Sequence, residues 1–166
     1  MLTSADEGVS KYKQEDGHFE LKDKADSKLV KAIESGEVKT AQDEKESDSS
    51  KTPVTLYENF YRNETEDYDA DGKKDGTIRV YTKTEDINLA CLIEGSFPQN
   101  ENEIAVDRMH ADNVGMKVGD TIKVSGKEFK VSGLIAYVNY STLHEKKTDM
   151  MFDAIKFDVA MVTKEA

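Results

Sequence analysis

Asp67, Asp69 and Asp71 alternate with single residues and are followed by Gly72, which places three carboxylates at positions 1, 3 and 5 of a D-x-D-x-D-G loop. That spacing gathers hard oxygen ligands around calcium, and the glycine permits the sharp turn that brings them together. Asp75 adds a carboxylate at position 9, whereas Ile78 stands at position 12, where an EF-hand carries a bidentate acid. The loop also joins two expected strands, not two helices. Asp67, Asp69, Asp71 and Asp75 are therefore the candidate metal ligands, for a calcium site of millimolar type. The competing reading is a solvated hairpin tip rich in turn formers.

Other chemistry is sparse. His18, His110 and His144 are the only histidines, and no pair has zinc-ligand spacing or a neighbouring cysteine. His110, close to Asp112 in a short expected helix, reads as part of an exposed polar face, and His144-Glu145 as solvated loop. Cys91 is the only cysteine, so no intrachain disulfide can form, and in an apolar stretch with no flanking base it reads as a buried structural thiol. Neither a G-x-S-x-G elbow nor a phosphate-binding G-x-x-x-x-G-K-[ST] loop occurs. The expectation is a chain that is not an enzyme, with no catalytic residue and no cofactor apart from weak calcium. Asn63-Glu64-Thr65 and Asn139-Tyr140-Ser141 fit the glycosylation triplet, which matters only in a eukaryotic secretory host. Tyr57, Phe60, Tyr61, Tyr68 and Tyr81 gather near the acidic loop, and cross-strand packing is the favoured use for them over a partner-binding patch.

The elements that must position these residues follow from periodicity and turn chemistry. Residues 1–16 are polar and expected to fray. His18–Leu21 reads as a short strand, and Asp23 or Asp26 caps a helix whose stripe is Leu29, Val30 and Ile33, ending at Ser35-Gly36. Residues 40–52 carry many charges and no apolar period. Val54, Leu56 and Phe60 alternate with Tyr57 and Tyr61, and Ile78 and Val80 resume the alternation, which predicts a hairpin with a long acidic tip. Lys83–Asn88 reads as a helical turn and Leu89–Ile93 as a buried strand. Gly95 and Pro98 break the chain, Ile104 and Val106 alternate inward, and Asp107 caps a short helix that stops at Gly115, with Met109 and Val114 on its buried side. Gly119-Asp120 and Ser125-Gly126 turn the chain into two further strands. Tyr140–Asp149 reads as irregular, Met150–Phe152 as an apolar patch, and Ile155–Val162 as a strand returning to the first sheet. The fold class is α+β: a mixed sheet-and-helix lobe, 1–90 plus 140–166, with an inserted smaller β-rich lobe, 91–139.

The chain has 166 residues and a net charge of −11, so its field repels phosphate backbones and no nucleic-acid partner is expected. No apolar run approaches the ~18 residues that a membrane span needs, and the first residues lack a secretory signal. A cell-envelope protein would thus take its targeting from sequence outside this chain.

One run of residues resembles a known family. Glu103-Ile104-Ala105-Val106, then Gly115-Met116-Lys117-Val118-Gly119-Asp120, then Val131-Ser132-Gly133-Leu134, preceded by the Gly95 and Pro98 break, are similar in order and spacing to the extracytoplasmic domain of FtsX-like permeases of ABC transporters, the MacB-like periplasmic core domain. The likeness covers residues 88–135 and extends less closely over 140–163. It implies a non-catalytic lobe on the extracellular face of a bacterial plasma membrane, carried by permease membrane helices and coupled to a separate cytoplasmic ATPase. A peptide, lipid, lipoprotein or accessory protein is the implied contact. The lysine-rich, cysteine-poor composition suggests an envelope without an outer membrane. The alternative is a secreted or surface-attached binding module that depends on calcium. None of the motif residues is catalytic in that family; they are turn glycines and core positions.

Overall fold

The computed structural model describes residues 5–36, 54–140 and 153–166. The described residues divide into two compact units, one of residues 5–15, 59–140 and 153–166, the other of residues 16–36 and 54–58.

The larger unit is built on seven strands: β1 (Tyr61–Asp67), β2 (Gly76–Thr82), β3 (Cys91–Gly95), β4 (Glu103–Asp107), β5 (Thr121–Val124), β6 (Lys127–Ala136) and β7 (Phe157–Val162). They run in the order β3-β6-β4-β7-β2-β1-β5, and β5 pairs again with β6, which closes six of them into a barrel. The sheet is mixed, with β2–β7 and β4–β6 parallel and the other pairs antiparallel. β6 allows closure because it is long: its first half pairs with β5 and its second half with β3 along the same edge, while β4 lies along the other.

Two apolar layers hold this unit. Ile78, Ile104, Val106, Ile122, Val124, Phe129, Val131, Leu134 and Ala160 form one cluster with Ala111 and Met116, and the alternate positions Tyr81, Ala105, Ile135, Phe157, Val159 and Met161 form another with Tyr137 and Ala154. Period-two alternation puts the first set inside the barrel and the second outside it. β4 and β7 contribute to both, so they are buried on both faces. Ser132 is an extra residue opposite the Ile104–Ala105 step of β4, a bulge that re-aims the end of β6. Its hydroxyl donates to the carbonyls of Ser96 and Ile104 at 3.1 and 3.3 Å, so the disturbed ladder keeps its polar groups paired.

The expected α+β class with a mixed sheet is what the chain adopts. β3 to β6, which lie within residues 91–139, share one sheet with β1, β2 and β7. The expected returning strand is β7, paired with β2 on one side and β4 on the other. A short helix α3 (Arg108–Val114) connects β4 to β5; Asp107 caps it as expected, accepting from the Met109 N–H at 2.7 Å, and Gly115 ends it at φ 78°.

Several local expectations need correction. Residues 5–12 form a helix, α1 (Ala5–Tyr12), because the end of the segment is tied down: Leu89 N–H donates to the Tyr12 carbonyl, and Asn88 exchanges hydrogen bonds with Glu15. Lys83–Asn88 is a bend without helix. β3 begins at Cys91, two residues later than expected, and it is exposed because it is a sheet edge with β6 as its one partner. Residues 54–60 are not a strand; Val54, Tyr57 and Phe60 are exposed, and pairing begins only at Tyr61.

In the smaller unit, α2 (Ser27–Glu34) is capped by Asp26, whose Oδ1 accepts from the Leu29 N–H at 2.7 Å. His18–Leu21 forms no strand there, and Phe19 and Leu21 stay exposed, since no described strand edge pairs with them. His144, Glu145 and the Met150–Phe152 patch lie outside the described residues. No described helix is long and apolar enough to cross a membrane.

Candidate functional site

The acidic connection between β1 and β2 is a turn organised by its own backbone. Asp67 Oδ2 accepts from Gly72 N–H at 2.9 Å, Asp69 Oδ1 from Asp71 N–H at 3.0 Å, and Asp71 Oδ1 from Lys73 N–H at 2.8 Å. Asp75 closes the loop, accepting from Tyr68 N–H at 3.0 Å while its own N–H donates to the Glu66 carbonyl at 2.8 Å. Ala70 and Gly72 take positive φ to make the bend. Of the four expected ligands, Asp67, Asp69 and Asp71 come together, each offering a carboxylate oxygen within 4.8 Å of the others. Asp75 stands outside that group. Lys73 lies with its ammonium 2.5 Å from Asp71 Oδ2, and that hydrogen bond holds the Asp71 carboxyl below its ordinary range.

A second cluster lies inside the barrel, and sequence reasoning missed it. Glu66 on β1, His110 on α3 and Asp158 on β7 are each 0% exposed. One ligand atom from each lies within 4.8 Å of the other two, so this group too has the makings of a metal set. His110 Nε2 is 3.2 Å from Glu66 Oε1, in ion-pair range but without hydrogen-bond alignment, and Nδ1 is 3.0 Å from the Ala154 carbonyl. Asp158 Oδ1 accepts from the backbone N–H of Val159 and Asp107 at 2.6 and 3.2 Å, while Oδ2 has no partner.

The electrostatics follow from burial. Desolvation alone would strip the proton from His110, but the Asp158 charge and the Glu66 carboxylate outweigh it and lift its pKa to about 9. Desolvation raises Asp158 well above its ordinary value, with the His110 charge opposing and the Glu66 and Asp107 charges adding to the rise. Asp107 is also raised by burial, against the two α3 N–H groups it caps. The arrangement can hold a proton deep in the core, since one buried imidazole is packed among the buried carboxyl groups of Glu66, Asp158 and Asp107.

His110 therefore faces inward, contrary to its expected place on an exposed polar face. His110 and Ala111 are the fully buried residues of this short helix, and the expected Met109 and Val114 are partly buried beside them, each packed against one of the two apolar clusters. Only one signal pointed to Asp158: an acid in the middle of an apolar strand.

The remaining candidates are structural. Cys91 is half-buried, and its Sγ accepts from the Tyr12 hydroxyl at 2.9 Å. Tyr61 and Tyr81 are direct cross-strand partners with rings 5.7 Å apart, as expected of packing aromatics. Arg79 stacks over Tyr61 and Phe157 and donates to the Tyr140 hydroxyl, so this patch is already internally paired. Comparison of the chain with known protein families, with curated proteins and with solved structures finds no match.

Proposed function

We propose that this chain is a non-catalytic extracytoplasmic domain of an ABC transporter permease of the FtsX-like kind. On this reading it sits on the extracellular face of a bacterial plasma membrane. Membrane helices of the same permease carry it, and a separate cytoplasmic ATPase supplies the energy. It contacts a peptide, lipid, lipoprotein or accessory partner. In chain order, residues 91–139 are the insertion and residues 1–90 plus 140–166 the lobe that receives it.

One observation carries the reading: the run from β3 through β4, α3 and the β5–β6 hairpin supplies each element of the family pattern, and its glycines sit where the backbone requires them. Gly95, Gly115 and Gly119 have φ of 74°, 78° and 101°, and a Cβ on Gly133 would collide with the Ser96 carbonyl. Such glycines fix an architecture and leave its cargo open.

The test is topological. In the full-length protein expressed in its membrane, Cys91 is replaced by serine and a single cysteine is placed at the exposed Glu85. A membrane-impermeant maleimide should label that cysteine in intact cells, and the protein should co-purify with an ATPase subunit. Labelling only after lysis would sink the proposal.

A further inference from the structure

We infer that the β1–β2 connection is a calcium-binding loop in which Asp67, Asp69 and Asp71 ligate the ion and Lys73 competes with it. This goes beyond the permease reading and does not depend on it.

Exposed acids clustered on a turn would say little, and Asp69 and Asp71 are exposed. Asp67 is different. It is only 8% exposed, one of its oxygens is committed to Gly72 N–H, and the other, Oδ1, is buried without any partner. A carboxylate oxygen removed from water and left unpaired is unfavourable, and a fold keeps one where a cation compensates it. That oxygen belongs to the residue that converges with Asp69 and Asp71 within 4.8 Å. The buried acid thus anchors the inner side of a set whose outer side is open to solvent.

The donor set selects the ion. Every side-chain ligand is an oxygen, with no imidazole or thiol in the loop, which favours a hard cation over zinc or copper. The ligands come from an irregular turn of alternating residues, which suits the variable coordination of calcium better than the strict octahedron of magnesium. The nine residues from Asp67 to Asp75 hold four aspartates and two lysines, a net charge of −2 that matches a divalent ion.

Two lysines set the affinity. Lys73 places its ammonium on Asp71 Oδ2 and must swing away when the ion enters, while Lys123 from β5 donates to the Ala70 carbonyl at 3.1 Å and adds positive charge beside the loop. Both oppose the ion, so the dissociation constant belongs in the millimolar to submillimolar range found in extracellular calcium modules.

The test titrates CaCl₂ into the whole chain, stripped with EDTA, and follows calorimetric heat and the thermal midpoint, with terbium luminescence sensitised through Tyr68 as a third readout. Binding heat, a midpoint raised at 5 mM Ca²⁺, and a smaller rise at 5 mM Mg²⁺ are expected. Asp69→Asn with Asp71→Asn alters only exposed side chains, so the protein should fold and lose the response. Lys73→Gln should bind several-fold more tightly. A folded wild-type chain giving neither heat nor a midpoint shift at 5 mM Ca²⁺ would overturn the inference, as would an unchanged response in the double variant.

Discussion

Raising the pH from 6 to 9.5 should weaken this fold, and most of the loss should trace to His110. Its imidazole is wholly buried beside Glu66 on β1, Asp158 on β7 and Asp107 at the end of β4, with Tyr68 in T-shaped contact at 6.1 Å between ring centres. The native state binds the His110 proton more tightly than the unfolded chain does, since burial lowers its pKa but the neighbouring carboxylates lift it from 6.5 to about 9. The stabilisation is complete below pH 6.5 and disappears as the pH rises through about 9. At 1.36 kcal/mol per pKa unit, that difference is worth about 3 kcal/mol, a large share of a typical domain stability. Asp158 acts in the same direction, because its raised native pKa also means protons held in the folded state and released on unfolding; it tilts the profile from about pH 4 upward. Protons on the two groups are coupled, so the profile reports the cluster as a unit.

Urea unfolding followed by far-UV circular dichroism suits the measurement, since the chain has no tryptophan. Keeping EDTA present removes metal effects, and stopping at pH 9.5 stays below the midpoint of unfolded tyrosine ionisation, at about 10. The expected unfolding free energy falls by about 3 kcal/mol between pH 6.5 and 9.5. His110→Gln should be weaker at pH 6 and should lose the His110 share of the fall while keeping the shallower slope that Asp158 contributes, and Asp158→Asn should move the midpoint of the fall to lower pH. A wild-type stability that holds constant or rises over this range would refute the argument, as would an equal slope in His110→Gln, because either would mean that the imidazole folds without its extra proton.

Two further predictions concern the frame around the cluster. Gly133→Ala forces a Cβ against the carbonyls of Ser96 and Glu94, so thermal or urea unfolding should register a loss of about 1–3 kcal/mol; Gly119→Ala, whose Cβ meets open space, should cost only the backbone strain of its φ of 101°, about 1 kcal/mol. Tyr12→Phe removes the hydroxyl that donates to Cys91 Sγ, which should cost about 0.5–1.5 kcal/mol and speed maleimide modification of Cys91, whereas an unchanged modification rate would mean that α1 does not shield the thiol.

What could be read in the sequence was whatever a few neighbouring residues decide. Asp107 and Gly115 bound α3, Asp26 caps α2, and Gly119-Asp120 turns into β5, because capping and turn chemistry act over three or four residues. Strand choice was less legible where tertiary pairing overrode composition. Val54–Phe60 has the apolar alternation of a strand, yet the strand is the charged segment Tyr61–Asp67, which has β2 along one edge and β5 along the other at its end. The acidic loop could be found from its spacing, but nothing local indicated that Asp67 would be buried while Asp69 stayed exposed.

The interior cluster was hidden for a related reason. Alternation in Phe157–Val162 separates Phe157, Val159 and Met161 from Asp158 and Ala160, and an acid on the second face suggests that this face is wet. In a closed barrel flanked by covering loops both faces are dry, and the face carrying the acid is the inner one. Period two therefore reports which residues share a face and leaves open which face water reaches. Only closure of β5 onto β6 decides that, by bringing Glu66 from β1 and His110 from α3 against Asp158. The charge that results is held by pairing between elements that are remote in the chain, so its energetic signature should be a pH dependence of the whole fold and not the local loosening of any one strand.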